Sequence, residues 1–252
     1  MRRPLVTVLL ATAALLAGCG KGQQTAATRT VTVVASEQSK ASGEQGSSKA
    51  QAFARAVNLR PSDVPGFRSK TKESSQKTPA EKRLGEELQH CVGTRSEKRP
   101  LLEESSLSFQ RGASIAQQSV SSSVTVARSK AIAGEELKAM GSAHASSCLV
   151  KYLTGLFAGS SRSGAKIGPV KVAHGTPPAA GTAGSFGLRV STSIIVRSVH
   201  VPFYLDLLGF VEGSSEVMLQ TSGIPEPFPA TAEQQLYTLL LERAKAHASE
   251  VQ

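Results

Sequence analysis

The sequence contains no tryptophan, and aromatic residues make up only 4% of its 252 residues. Aspartate is nearly absent too, since Asp63 and Asp206 are the only two. No window matches the nucleophile elbow G-x-S-x-G, the metalloprotease helix H-E-x-x-H or the phosphate loop of nucleotide-binding proteins. The five histidines are scattered singly. The sequence therefore gives no reason to predict an enzyme, and we expect no cofactor and no metal.

The apolar segment at the N-terminus is too short to cross a bilayer. Leu5 to Gly18 is an uncharged, mostly apolar run of 14 residues, whereas a spanning helix needs about 20. Arg2 and Arg3 precede this run, and small residues end it. A positive start, a short apolar run and small residues at a cleavage site are typical of a secretion signal. We therefore predict that residues 1–18 are a signal peptide.

The cleavage site carries a more specific pattern. Leu16-Ala17-Gly18-Cys19 resembles the lipobox that is cut by bacterial lipoprotein signal peptidase. The resemblance implies diacylation of the Cys19 thiol, cleavage before this residue, and often a third acyl chain on its new amine. Two or more chains give stable anchoring, whereas one gives only marginal membrane binding. An ordinary signal peptide followed by a chance cysteine is the alternative. We expect an extracytoplasmic protein that is lipid-anchored to the cell membrane.

Two cysteines remain once Cys19 is assigned to lipid. Cys91 and Cys148 form an even pair, and outside the cytoplasm such a pair is most simply a disulfide. A metal site is the weaker alternative, because neither cysteine belongs to a C-x-x-C pair. His90 is adjacent to Cys91, but neighbouring residues on a helix point about 100° apart. We therefore predict a Cys91–Cys148 disulfide.

The basic balance of the chain bears on its partners. The formal net charge is +10, of which Arg2 and Arg3 contribute two. A basic surface suits an anionic membrane face, although a solvated surface without a partner is an equally simple interpretation. Nucleic acid is excluded as an expected partner by the export signal, the low aromatic content and the missing recognition motifs. The expected partners are the membrane, through the anchor, and an envelope protein, cell-wall component or lipid.

Composition divides the mature chain into two parts. Residues 19–50 are rich in Gln, Ser, Thr, Ala, Lys and Gly and contain no aromatic residue. Such a segment cannot bury enough apolar surface to offset the entropy of ordering, so we predict a lipidated cysteine followed by a disordered linker. Residues 51–252 suit a single folded domain.

Two predicted helices carry the paired cysteines. The first begins after Thr78 and ends before Gly93, and Cys91 falls on its inward face. The second covers residues 143–157 and turns Cys148 inward. A disulfide joining these helices is therefore geometrically reasonable.

A strand and a further helix are predicted between these two helices. In residues 120–127, Val120, Ser122, Val124 and Val126 share one face of the strand. Ser129 is expected to cap a helix that runs to Met140.

Strand patterns dominate the second half of the chain. Phe186 to Val196 alternates apolar and polar residues, Pro202 to Val211 is apolar at nearly every position, and residues 216–221 return after a turn. A last helix is predicted over residues 232–248, capped by Thr231. Grouped strands with helices before and after predict an α+β fold, an antiparallel sheet with helices packed on one face.

The order of elements resembles the extracytoplasmic sensor domain of mycobacterial PknH-type kinases and related actinobacterial lipoproteins. The resemblance rests on Asp63-Val64-Pro65-Gly66-Phe67, a cysteine at a helix end, a strand over 119–127, the helix with Cys148, and the strands and helix that follow. It implies a sensing or binding module. Sensor domains of that group have two disulfides, whereas this chain has one cysteine pair for such bonds, so no binding residues are carried over.

Three hypotheses about function follow. The first is a non-catalytic sensing or binding module of the envelope. The second is a carrier of lipid or another apolar molecule, with the Phe203 to Phe210 strand lining a cavity. The third is an envelope hydrolase that uses Asp206 with a distant histidine. Asp206 lies within an apolar strand, so it is either a buried functional carboxylate or, as we expect, a residue of the wetter face or edge.

Overall fold

The computed structural model describes residues 36–70, 79–93, 100–113, 116–159, 166–196 and 198–251. The predicted signal peptide, Cys19 and residues 20–35 of the predicted linker lie outside the described residues. The helices within the described ranges are α1 (Ser36–Val57), α2 (Pro79–Val92), α3 (Lys130–Met140), α4 (Ala143–Gly159) and α5 (Ala230–Ala246). The strands are β1 (Arg68–Lys70), β2 (Leu102–Ser105), β3 (Ser108–Ala113), β4 (Ala116–Val126), β5 (Lys166–Ile167), β6 (Lys171–Gly175), β7 (Gly184–Val196), β8 (Val199–Glu212) and β9 (Ser215–Ile224).

The strands of the described ranges form one antiparallel sheet, which confirms the predicted fold class. Its order is β1-β3-β4-β9-β8-β7-β5, with β2 beside β4 and β6 beside β7. The two long hairpins β7–β8 and β8–β9 supply the centre, in the register Arg189↔Asp206↔Thr221. Short strands cover both edges, which leaves little unpaired backbone to template the addition of another chain.

Helices cover both faces of the sheet rather than the single face that was expected. Successive residues of a strand point to opposite faces, and β8 is apolar in both directions. Leu208 and Phe210 pack with α1 and α5, whereas Leu207 packs with α4. A central strand that is apolar on both faces requires a cover on each, and the chain provides α1 and α5 for one face and α4 for the other.

Helix α1 begins at Ser36, so residues 36–50 of the predicted linker are helical. The polar composition of this segment hid the helix from sequence analysis. Its last two turns are anchored by Ala50, Phe53 and Val57, which are all at most 1% exposed. Tertiary packing of such an apolar stripe, rather than intrinsic propensity, supplies most of the stability of a helix in a protein.

Several predicted boundaries are confirmed and one is wrong. Helix α2 ends before Gly93, which has a φ of +80°, and the Ser129 hydroxyl caps α3 by accepting from the Ile132 N–H at 3.3 Å. The Thr231 cap is wrong, because Pro229 holds the extended N-cap conformation and its carbonyl accepts the Glu233 N–H at 2.9 Å. No helix in the described ranges is long and apolar enough to span a membrane.

Candidate functional site

The structure joins Cys91 of α2 to Cys148 of α4 in a disulfide, as the sequence predicts. The Cα atoms are 5.7 Å apart and the sulfurs 2.02 Å apart, within the ordinary geometry of a disulfide. Cys148 is 2% exposed and lies among Val92 and Ala145. The disulfide therefore ties α2 to α4, the helix that covers one face of the sheet.

His144, rather than His90, accompanies the two cysteines. Its Nε2 lies 2.9 Å from the Cys91 carbonyl oxygen, and one ligand atom from each of Cys91, His144 and Cys148 lies within 4.8 Å of the others. The grouping resembles a metal site in spacing, but both sulfurs are committed to the disulfide, and it is the thiolate that binds metal. Sequence analysis did not predict the contact between His144 and Cys91, because α2 and α4 are distant along the chain.

Asp206 is buried, so the expectation that it lies on a wetter face or at an edge is wrong. It is 3% exposed. Its register partner Arg189 donates from Nε to Oδ1 at 2.6 Å and from Nη2 to Oδ2 at 2.9 Å, a bidentate arrangement with high specificity. Asp206 points to the sheet face on which β7 carries its polar residues, as the alternation of β7 predicts. Helix α5 covers that face at Asp206.

A second carboxyl group reaches the same pair from α5. Glu233 is 7% exposed, its Oε2 lies 3.8 Å from Arg189 Nη2, and its Oε1 accepts the Thr221 hydroxyl at 2.5 Å. Burial raises the pKa of Glu233, with a further rise from Asp206, against the lowering effects of Thr221 and Arg189. The pKa of Glu233 is therefore raised above its ordinary value of 4.5.

These groups form the inner wall of a cleft of about 460 Å³, which we call the Arg189 cleft. Its outer wall is the edge strand β6 with the turn after it, from Ala173 to Pro177. The Arg189 side chain is 51% exposed, so its guanidinium is held by buried carboxyl groups yet remains accessible. A fixed, half-exposed guanidinium can donate hydrogen bonds or stack on a flat group.

The hydrolase hypothesis required a histidine beside Asp206, and the described residues provide none. His174 borders the cleft, but it is the register partner of Leu188, and its ring nitrogen pairs with the Ser146 hydroxyl of α4. His247 binds Glu250, and His90 and His200 are exposed on α2 and β8. Because Arg189 occupies both oxygens of Asp206, we assign this carboxylate a positioning role.

A smaller, apolar cavity of about 150 Å³ lies under α2, and we call it the α2 cavity. Helix α2 contributes Leu88, Gln89 and Val92 to its lining. The remaining walls are apolar and come from Met140, Ala145, Leu149 and Leu188. No residue of the strand from Phe203 to Phe210 lines it, contrary to the carrier hypothesis. That strand contributes Asp206 and Leu208 to the Arg189 cleft instead.

Comparison with known proteins gives a weak structural similarity to an extracellular domain. No protein family model matches the chain, and no curated protein matches it. The crystal structure of the extracellular domain of PknH from Mycobacterium tuberculosis is similar at a TM-score of 0.37 and 10% identity, over 77% of this chain and 96% of that one. This is the group that the element order resembled. At these values neither a fold family nor a function follows from the similarity.

Replacing Asp206 by alanine is expected to lower the free energy of unfolding by about 2 kcal/mol. Removing one partner of a fully buried pair costs roughly 3–5 kcal/mol, and Arg189 recovers part of this because half of its side chain reaches solvent. Thermal melts give the measurement. The control is Glu87→Ala, which breaks the exposed pair with Arg83 and should change stability by less than about 0.5 kcal/mol. Equal effects of the two variants would show that the Asp206 pair does not stabilise the pairing of β7 with β8.

Replacing Glu233 by glutamine is expected to stabilise the protein increasingly as the pH rises. A carboxyl group with a raised folded-state pKa contributes its full stability below its ordinary value of 4.5, and this contribution is lost as the pH rises through the raised pKa. Glutamine mimics the protonated form at every pH. The melting temperature of the variant minus that of the wild type should therefore grow from pH 4.5 upward. Glu86→Gln, at an exposed position of α2, is the matched surface control. A difference for Glu233→Gln that does not grow with pH would contradict the raised pKa.

Proposed function

We propose that this chain is an extracytoplasmic lipoprotein whose α+β domain is a non-catalytic sensing or binding module. The observation that carries the proposal is the division of the three cysteines. Cys19 ends a lipobox-like sequence, and the other two form a disulfide between helices. Structural disulfides persist outside the reducing cytoplasm, so the lipidation pattern and the disulfide support the same compartment.

The Arg189 cleft is the surface that we propose for binding. Its guanidinium is oriented by Asp206 and Glu233 before any partner arrives, and such preorganisation lowers the cost of ordering on binding. The cleft lies at the edge of the sheet, where β6 leaves it accessible from solvent. An envelope protein or cell-wall component with acceptor groups or a flat ring matches the donors and the face of a guanidinium.

The carrier alternative is favoured by one observation, the α2 cavity. Pockets for drug-sized ligands have volumes of about 300–1,000 Å³, and this cavity has about 150 Å³. A carrier with this cavity would transport a small apolar molecule rather than a whole lipid.

The anchor is tested by replacing Cys19 with serine in the full chain produced in a bacterial host. The wild type should incorporate radiolabelled palmitate and sediment with membranes, because diacylation provides stable anchoring. The Cys19→Ser chain should lose the label. Cys91→Ser, which leaves the lipobox intact, should keep it. A wild-type chain that takes up no label would remove the lipoprotein part of the proposal.

The binding surface is tested by filling the cleft from its exposed rim. Ala173 lies on the edge strand β6, is exposed and lines the cleft, so Ala173→Arg should occlude Arg189 without disturbing the core. In crosslinked cells the partners captured by the wild type should be reduced about tenfold by this variant, the loss of about 1.4 kcal/mol of binding free energy. The matched control is Ala113→Arg, at an exposed end of β3. If both variants capture the same partners as the wild type, the cleft is not the binding surface.

A further inference from the structure

Helix α2 is held to the domain mainly by α4. The Leu84 side chain packs into the notch left by Gly155, where an added Cβ would lie 2.8 Å from a Leu84 methyl. The Cys91–Cys148 disulfide fixes the other end of α2, and His144 bonds the Cys91 carbonyl. The covalent bond is thus the strongest of the links that keep α2 in place.

The α2 cavity lies beneath this helix and above the sheet. Its floor is Leu188 of β7, which is 1% exposed, and its α4 wall is Ala145 and Leu149, at 2% and 8%. Val92 of α2, at 9%, closes it from above. The cavity is therefore lined by buried aliphatic side chains from α2, α4 and β7, and it opens toward solvent on the side of the exposed Gln89.

The chemistry of the lining favours an apolar occupant over an ordered water molecule. An ordered buried water needs two to four polar partners, whereas Gln89 is the sole polar residue among those that line this cavity. In other proteins, an aliphatic cavity of about 150 Å³ stays dry and takes up benzene or xenon. The volume of about 150 Å³ found here is the same.

We propose that the α2 cavity is a binding site for a compact, uncharged apolar ligand of about the size of a benzene ring, and that the disulfide holds α2 as its roof. This site adds a ligand to the proposed binding function. It rests on that proposal, because the disulfide requires the oxidising extracytoplasmic location proposed there. It assigns a ligand class distinct from the polar partner of the Arg189 cleft. The two sites lie on opposite faces of the sheet, because Leu188 and Arg189 are consecutive residues of β7.

Benzene is the probe for the test. The full chain with Cys19→Ser is used, so that no acyl chain competes for the probe and the result does not depend on lipidation. Carbon-13 methyl NMR should show saturable shifts at millimolar benzene for Met140, Leu149 and Leu188. The methyl groups of Leu236 and Leu240, which lie in the core on the other face, should not shift. Shifts that rise linearly without saturation, or that appear equally in both cores, would overturn the site.

A cavity-filling variant gives the matched control. Ala145→Leu should abolish the saturable shifts while the disulfide and the thermal transition persist. If this variant fails to fold, Ala145→Val should weaken binding at least threefold by filling part of the same space. Ala131→Leu makes the same substitution as the first variant at an exposed position of α3 and should bind as the wild type does. A folded Ala145→Leu protein that still saturates with benzene would place the probe elsewhere.

Reduction tests the second half of the proposal. After dithiothreitol treatment, the saturable shifts should weaken at least tenfold, while the methyl resonances of Leu236 and Leu240 remain in place. If benzene binds equally well to the reduced protein, the disulfide does not hold the roof. Because Cys19 is absent from this chain, failure here leaves the lipidation proposal untouched, and failure of palmitate labelling leaves this site untouched.

Discussion

The apolar character of β8 on both faces is the constraint on which the rest of the structure depends. Phe210 requires a cover on one face and Leu207 a cover on the other, and each cover is made from helices that lie far from β8 in the chain. Helices α1 and α5 come from the two ends, and α4 comes from between the strands. Burial of apolar area is the dominant favourable term in folding, so the sheet and its helix layers are stable only together.

Asp206 is the position at which a buried carboxylate interrupts the apolar surface of β8. On the face under α5, Asp206 and Thr221 stand in register, whereas the neighbouring row on that face pairs Leu208 with Leu219. Buried polar groups must be paired, and the structure meets this requirement with Arg189, Glu233 and Thr221. The same pairing leaves an oriented guanidinium beside the edge strand β6, so a requirement of the core creates the feature that a partner can recognise.

Sequence analysis succeeded where a local pattern decides the structure. The alternation of β4 buries Val120 and Val124, Ser129 caps α3, and the inward faces of α2 and α4 bring the cysteines together. It failed where distant segments decide, because no local pattern shows that α5 covers Asp206 or that His144 lies beside Cys91. The second helix layer and the short edge strands depend on pairing partners rather than on their own residues. Neither cleft nor cavity has a sequence signature, since each is built from at least three elements.

The pairing of β4 with β9 has a consequence for the order of assembly. Ten register pairs join Gln117–Val126 to Ser215–Ile224, segments that are roughly 100 residues apart, and such non-local ladders close slowly. The turns of the β7–β8–β9 meander are local, and Cys91 and Cys148 both precede it in the chain. A chain that emerges from its N-terminus therefore presents both cysteines before the strand that closes the sheet is available. Neither cysteine belongs to that strand, so we expect that oxidation can precede sheet closure.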